Sequence, residues 1–350
     1  MRPSFIVGGV LQNLGVNARA GSGSVFVVEA DEYDHMFLGL KPRIEVITSV
    51  EHDHPDLFPT LAAMMDAFGS FISLLPHDGT LICSLDDPGA ASLMKKARQT
   101  GRQVMAYGFE PEVTVTAPRW MLGRNLQPNR LGGFDFDAAT NVGASRLVSL
   151  GLQVPGAHNV SNALAALSVC VLLGVSLKEA AAALGKFKGT GRRFEVKGER
   201  RGIVVIDDYA HHPTAIRATL AAARSRYPER RIWAVWQPHT YTRTQTLFSD
   251  FVQAFKDADE VLITEIYRSR EPEQDYSSEQ IVHAMERETA HFAASLQEAT
   301  GYLLQNVRQG DVVLVLSAGD ADHDRRCRLS SDRESGHGRA RAGRVDAPVH

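Results

Sequence analysis

"GIVVIDDYAHHPTAIRATLAAARSRYP" occupies residues 202–228, and its reading sets the fold. An apolar, β-branched run is followed by a polar loop and then by alanine-rich helical spacing. "RIWAVWQPHTYTRTQTLFSDFVQAFKDAD", residues 231–259, repeats strand, loop and helix. "EVLITEIYRSREP" (260–272) reads as strand and loop, and "DVVLVLSAGD" (311–320) as a last strand closing in a small-residue turn. Strands alternating with helices imply a mostly parallel sheet with right-handed crossovers. The loops at the ends of the first two strands carry Asp208, Tyr209, His211, His212, His239, Tyr241 and Arg243. If the strands are neighbours, these side chains share one crevice. In open α/β sheets, ligands bind beyond the carboxyl ends of the strands.

Toward the start of the chain the pattern is similar. "SVFVVEAD" (24–31) and "IEVITSVEHD" (44–53) read as two buried parallel strands joined by the polar connection "EYDHMFLGLKP". "LAAMMDAFGSFISLL" has helical apolar spacing, and "GTLICSLDDP" and "RQVMAYGF" are further strands. Residues 113–155 alternate, with "LGGFDFDA" and "SRLVSLGLQVPG" as antiparallel hairpin material. "NVSNALAALSVCVLLG" is an apolar helix stopped by Gly174, and "SLKEAAAALGKF" a second helix capped by Ser176. The pattern restarts after "KGTGRRFEV". The expected division is residues 1–194, 195–320, and a tail at 321–350.

Bulk properties exclude several classes. Net charge is −3 over 350 residues, with 44% hydrophobic and 23% charged residues. That balance favours neither nucleic acid nor an acidic membrane. No apolar run is long enough to span a bilayer. The start lacks the long apolar core of a secretory signal, so the cytoplasm is the expected compartment. Cys83, Cys170 and Cys327 show neither metal-ligand spacing nor a disulfide framework.

The candidate chemistry lies at the loops. Glu29 and His54 end their strands and could share a divalent cation, magnesium or manganese. The alternative is a solvated cluster of local ion pairs. His35 and His52 read as surface histidines. In "PGAHNVSNA" (155–163), His158 and Asn162 fall near a helix start, where Asn159 or Ser161 could simply cap. In "KGTGRRFE" (188–195), Arg193 could bridge a phosphate, or be a solvated linker charge. The tail "DADHDRRCRLSSDRESGHGRARAGRVDAPVH" is rich in arginine and lacks lysine and apolar periodicity. It reads as a reading-frame change inside what would be a packing helix, or as a disordered basic tail.

"EADEYD", "VEHDHPD", "PGAHNVSNA", "GTGRRFE", "DDYAHHPT" and "QPHTYTRT" together resemble the Mur ligases, over residues 5–321. The resemblance is to the alanine-adding branch, with the branch that reattaches recycled murein tripeptide second. It implies an α/β central ATPase domain, a parallel sheet with a smaller antiparallel portion. A Rossmann-like amino-acid-binding domain follows. The implied reaction joins L-alanine to UDP-N-acetylmuramate through an acyl phosphate, with ATP and Mg²⁺. Glu29 and His54 would be metal ligands and Asn162 the adenine contact, with His158 beside it. Arg193 would reach phosphate, and Asp208 would be a ribose contact or hinge-side partner. Tyr209, His211, His212, His239 and Arg243 would form the amino-acid side, with His211, Arg193 and Asp208 in catalytic positions. Asn17 and Arg19 in "GGVLQNLGVNAR" would meet the UDP-sugar. The absence of lysine between Pro55 and Thr80 suits the alanine-adding branch. Three departures stand out. No Gly-x-x-Gly-Lys-Thr-Thr loop occurs, the UDP-binding domain is expected to be missing, and the final helix is replaced by the aberrant tail; Thr240 also stands where an arginine is expected. These imply a chain inactive by itself, or a non-catalytic nucleotide or amino-acid binding module.

Overall fold

The computed structural model describes residues 1–109, 117–144 and 146–321. The start of the 113–155 stretch, Ser145, Cys327 and almost all of the tail lie outside these. The first strands, β1 (Ser4–Leu11), β2 (Val16–Arg19) and β3 (Phe26–Val28), make a small sheet in the order β2-β1-β3. A short 3-10 stretch, Tyr33–Gly39, leads to β4 (Ile44–Ile47). Then come α1 (Leu61–Ile72), β5 (Thr80–Ser84), α2 (Pro88–Gln99), β6 (Gln103–Phe109), β7 (Trp120–Pro128), β8 (Phe134–Thr140) and β9 (Leu147–Gly151). Helices α3 (Ala157–Leu172) and α4 (Leu177–Leu184) follow.

Strands β4 to β9 form one sheet in sequence order, parallel through β7 and antiparallel beyond it. Its residues alternate between two cores. Leu81 and Cys83 face α1 and α2, whereas Ile82 and Met105 face α3 and α4. The expected helix ends are present. Ser176 accepts from the Glu179 N–H, and Gly174 takes φ +77°. Helix α3, however, starts at Gly156 with no side-chain cap, so neither Asn159 nor Ser161 caps it. The Asn159 amide instead donates to the Pro155 carbonyl at 2.7 Å.

One expectation fails here. Strands β3 and β4 are not a buried parallel pair. β3 pairs with β1, and its Phe26 and Val27 are exposed. Apolar composition marks a strand but does not choose its neighbour, because pairing is non-local.

The second sheet uses β10 (Glu195–Arg200), β11 (Ile203–Asp208), β12 (Ile232–Gln237), β13 (Glu260–Thr264), β14 (Ala290–Ala293) and β15 (Val312–Ser317). Its helices are α5 (Pro213–Arg226), α6 (Tyr241–Thr246), α7 (Phe248–Val252), α8 (Glu279–Ala284) and α9 (Leu296–Asn306). The strand order is β10-β11-β15-β12-β13-β14, parallel except for β10. Helices α5, α7 and α8 cover one face and α9 the other. The last strand therefore lies between β11 and β12, which are not neighbours as expected. Their tips still open on the same edge. The β15 turn fits there because Gly319 lacks a side chain; a Cβ would lie 2.5 Å from Gln237 Oε1.

Candidate active-site crevice

The crevice lies where the loop after β4 meets the strand tips of the second sheet. The loop "EHDHPD" reaches across with three carboxylates. Glu51 accepts from the Thr214 hydroxyl, Asp53 binds Arg243, and Asp56 takes Arg270 at 3.3 Å. Asp53 Oδ1 receives both the His54 N–H and the Arg243 Nε–H at 2.7 Å. Burial pushes the Asp53 carboxyl up, but the charges of Arg243 and His54 outweigh it and hold it well below the carboxylate range. Arg243 is 3% exposed. An uncompensated cation at that depth is costly, so the pair is mutually required.

Two histidines flank this arginine. His211 Nδ1 lies 2.8 Å from the Tyr209 carbonyl, which can only accept. Nδ1 therefore carries the proton and Nε2 keeps its lone pair. Burial, then the Arg243 charge, lower His211 to about 3. The same two causes, in that order, lower His239 to about 4. Its Nδ1 faces the Arg243 Nη1 donor at 3.3 Å, so it is an acceptor. The two rings are 5.9 Å apart, and His239 stacks on Tyr267. His212 caps α5, its Nδ1 accepting from the Thr214 N–H, and its Nε2 points to the His52 carbonyl at 3.4 Å. That makes it a structural link between the two halves. His52 donates from Nε2 to the Phe58 carbonyl at 2.8 Å and is half-buried, not a free surface histidine; His35 is exposed and edge-on to Phe58.

Tyr209 lies 5.2 Å from the guanidinium carbons of both Arg192 and Arg193. Arg193 is exposed, and its charge reaches His158 and Asp208. His158 accepts from Asn159 at 3.1 Å, and the exposed Asn162 donates to Asn159 at 3.4 Å. Asp208 is turned inward. Its oxygens accept from the Phe194 N–H at 2.7 Å and the Ala210 N–H at 2.8 Å, and burial raises its carboxyl. That is hinge-side geometry, not a carboxylate open to a ribose.

The metal pair is less complete. Glu29 accepts from the Gly8 N–H at 2.6 Å, and a Cβ at Gly8 would come within 3.1 Å of it. His54 faces Glu32 at 3.3 Å and lies edge-on to Tyr33. The His54 hydrogen bond lowers the Glu32 carboxyl. Among the described residues no three such side chains form a metal cluster. Asn17 and Arg19 are exposed on β2, with Arg19 against Phe5. That hairpin reaches the linker through backbone contacts of Val10 and Gln12 and through the side chain of Asn13. The Asn13 amide donates to the Lys186 carbonyl and accepts from the Lys188 N–H, both at 2.7 Å.

The sequence reading assigned no role to Asp53, which stands in the charged loop after the second strand, nor to Arg270 and Glu271. "YRSREP" follows β13 and is a third polar strand tip. Its signal, charge immediately after an apolar strand, matches that of the two tips recognised.

These loops and this fold are those of the Mur ligases, and the chain belongs to that family. Residues 10–170 match the Mur ligase middle domain, and residues 192–319 the Mur ligase glutamate ligase domain. Among curated relatives, the UDP-N-acetylmuramate–L-alanine ligase of Renibacterium salmoninarum is 43% identical over 91% of this chain and 66% of its own length. That of Solidesulfovibrio magneticus is 40% identical over 91% and 67%. The crystal structure of the UDP-N-acetylmuramate-alanine ligase of Thermotoga maritima superposes with TM-score 0.69 at 27% identity, over 92% of this chain and 67% of that one. The chain thus spans about two thirds of the length of these relatives. No helix among the described residues is long and apolar enough to cross a membrane.

Proposed function

We propose that the crevice carries the amide-forming step that joins L-alanine to UDP-N-acetylmuramate at the expense of ATP, in peptidoglycan precursor synthesis in the cytoplasm. The observation that carries this reading is the buried Arg243 beside two neutral imidazoles. A free amino acid brings a carboxylate and an ammonium. The guanidinium binds the carboxylate, and His211 Nε2, its lone pair free, accepts a hydrogen bond from the amine and orients it, while the proton that the ammonium must lose passes to solvent. ATP phosphorylates the sugar's lactyl carboxylate and leaves as ADP. The amine then attacks the acyl carbon, and the tetrahedral intermediate expels inorganic phosphate. Neutral His211 and His239 avoid adding positive charge beside Arg243, so the ammonium is not repelled before it deprotonates.

Arg193, exposed beside Tyr209, would neutralise phosphate charge at the hinge, where Asp208 fixes the backbone of Phe194. Asn162 and His158 lie at the first turn of α3, on the nucleotide side in this reading. Glu29 and His54 would supply an oxygen and an imidazole donor to a Mg²⁺ whose remaining shell is phosphate and water, with Glu32 beside the imidazole. When bound, the ion neutralises charge on the phosphates. Asn17 and Arg19 are offered as contacts for the UDP-sugar.

The test is L-alanine-dependent ADP release with UDP-N-acetylmuramate, ATP and Mg²⁺. It is run on this chain and on this chain joined to the amino-terminal third of the Solidesulfovibrio magneticus relative. Alanine-dependent release by the joined protein supports the reading. A folded joined protein whose ADP release ignores L-alanine overturns it.

A further inference from the structure

Arg243 is held from two sides by carboxylates outside its own helix. Glu271, beyond β13, accepts from the Tyr241 and Thr242 N–H groups and from the Thr242 hydroxyl. These are the first donors of α6, and Thr240 at its start offers no side-chain cap and sits at φ +67°. An external carboxylate thus fixes the one-turn helix that presents the arginine. The guanidinium itself is held across the crevice. Nε donates to Asp53 at 2.7 Å, and Nη1 faces His239 Nδ1 at 3.3 Å and its carbonyl at 3.4 Å. Among the described residues, Nη2 makes no hydrogen bond that would compete with a ligand.

We propose that Asp53 is a positioning residue for amino-acid recognition: by holding Nε from the opposite domain, it directs Nη2 to the incoming carboxylate. Selection of the amino acid then needs both domains, although Arg243 and the histidines all belong to the second. The inference rests on reading Arg243 as the carboxylate site. Asp53 also holds the His54 N–H, so the turn that presents it is fixed at the same atom. A planar guanidinium bound at Nε cannot swing, and loss of that contact frees it to rotate away from a ligand.

The experiment is calorimetric titration of the full chain, in metal-free buffer, with L-alanine and with L-alaninamide, which lacks the carboxylate. The quantity read is the ratio of the two affinities. Asp53→Asn lowers this ratio at least tenfold. Asp53→Ser is measured beside it, so the comparison survives if one variant does not fold. Glu51→Gln, which loosens the same interdomain contact at Thr214 without touching Arg243, leaves the ratio within twofold. A wild-type ratio in both Asp53 variants overturns the proposal, and so does an equal fall in Glu51→Gln, which would make the effect general loosening. Arg243→Gln separates the two readings. If the wild-type chain binds no L-alanine, or Arg243→Gln binds it unchanged, the carboxylate-site reading falls. If Arg243→Gln loses binding and the Asp53 variants keep it, only the positioning role falls.

Discussion

Glu45 and His211 are ionisable groups held neutral in the folded chain, and their pH signatures are opposite. Glu45 is 2% exposed on β4, with neither carboxylate oxygen hydrogen-bonded among the described residues. Burial pushes it up to about 8, against a partial pull from Arg102. Its unfolded value is 4.5. The folded state therefore binds the proton more tightly, and the stability this contributes is complete below pH 4.5 and lost as pH rises through 8. Between pH 5 and 8, Glu45→Gln should flatten the fall in unfolding free energy by on the order of 3 kcal/mol. Urea melts at both ends of that window check it, and an unchanged slope would mean that the carboxyl is solvated. His211 works the other way. Its folded value of about 3 lies below the 6.5 of a free imidazole, so its contribution is complete above pH 6.5 and lost as pH falls toward 3. NMR of the imidazole carbons should show one neutral Nδ1–H tautomer down to pH 5. A protonated ring at pH 6 would remove the acceptor that the ligation reading assigns to Nε2.

The start of α4 at Ser176 and the stop of α3 at Gly174 were legible because their causes are local, whereas α3 starts without the cap expected of Asn159 or Ser161. Asp87, at the end of the strand and turn "GTLICSLDDP", does more than cap α2. Its Oδ1 accepts from the Ala90 N–H at 2.7 Å and from the Val50 N–H at 3.1 Å, tying the cap to the residue before Glu51. Gly89 completes the joint, since a Cβ there would lie 2.5 Å from the Val50 carbonyl. Asp87→Ala should cost about 1–2 kcal/mol of stability. Amide exchange should also quicken across residues 50–56, beyond the helix itself. Exchange confined to the first turn of α2 would show that the cap does not support the crevice loop. What the sequence hid was non-local. The insertion of β15 between β11 and β12, and the pairing of β3 with β1, are choices of partner that periodicity does not encode. The reach of Asp53 to Arg243 spans 190 residues. Arg243 and the histidines were legible because each follows an apolar strand, and of the two roles left open for Asp208, ribose contact or hinge-side partner, its hydrogen bonds fit the second.

The two larger sheets have separate apolar cores, and apart from the packing of α3 on α5 at Gly156 and Ala222 the contacts that join them are polar. Glu51, Asp53 and Asp56 on one side meet Thr214, Arg243 and Arg270 on the other, with Tyr33 hydrogen-bonded to Asp56 and lying 4.1 Å from the Arg270 guanidinium. The linker adds Arg192 to the Ser317 carbonyl, and Asn13 clamps it from the first hairpin. Contacts of this kind contribute little apart from the buried pair, because exposed ion pairs are worth about 0–1 kcal/mol while breaking a buried one costs about 3–5 kcal/mol. Domains that share no apolar core unfold as separate units unless such a contact couples them. Scanning calorimetry should therefore resolve two transitions, one for each sheet. Replacing Glu51 and Asp56 with Gln and Asn should leave their separation nearly unchanged. Asp53→Asn should destabilise the contact and move the lower transition down by several degrees, since Arg243 is then buried without its partner. A single sharp transition that Asp53→Asn shifts as a whole would mean that the cores are thermodynamically one, and that closure is built into the fold instead of resting on one ion pair.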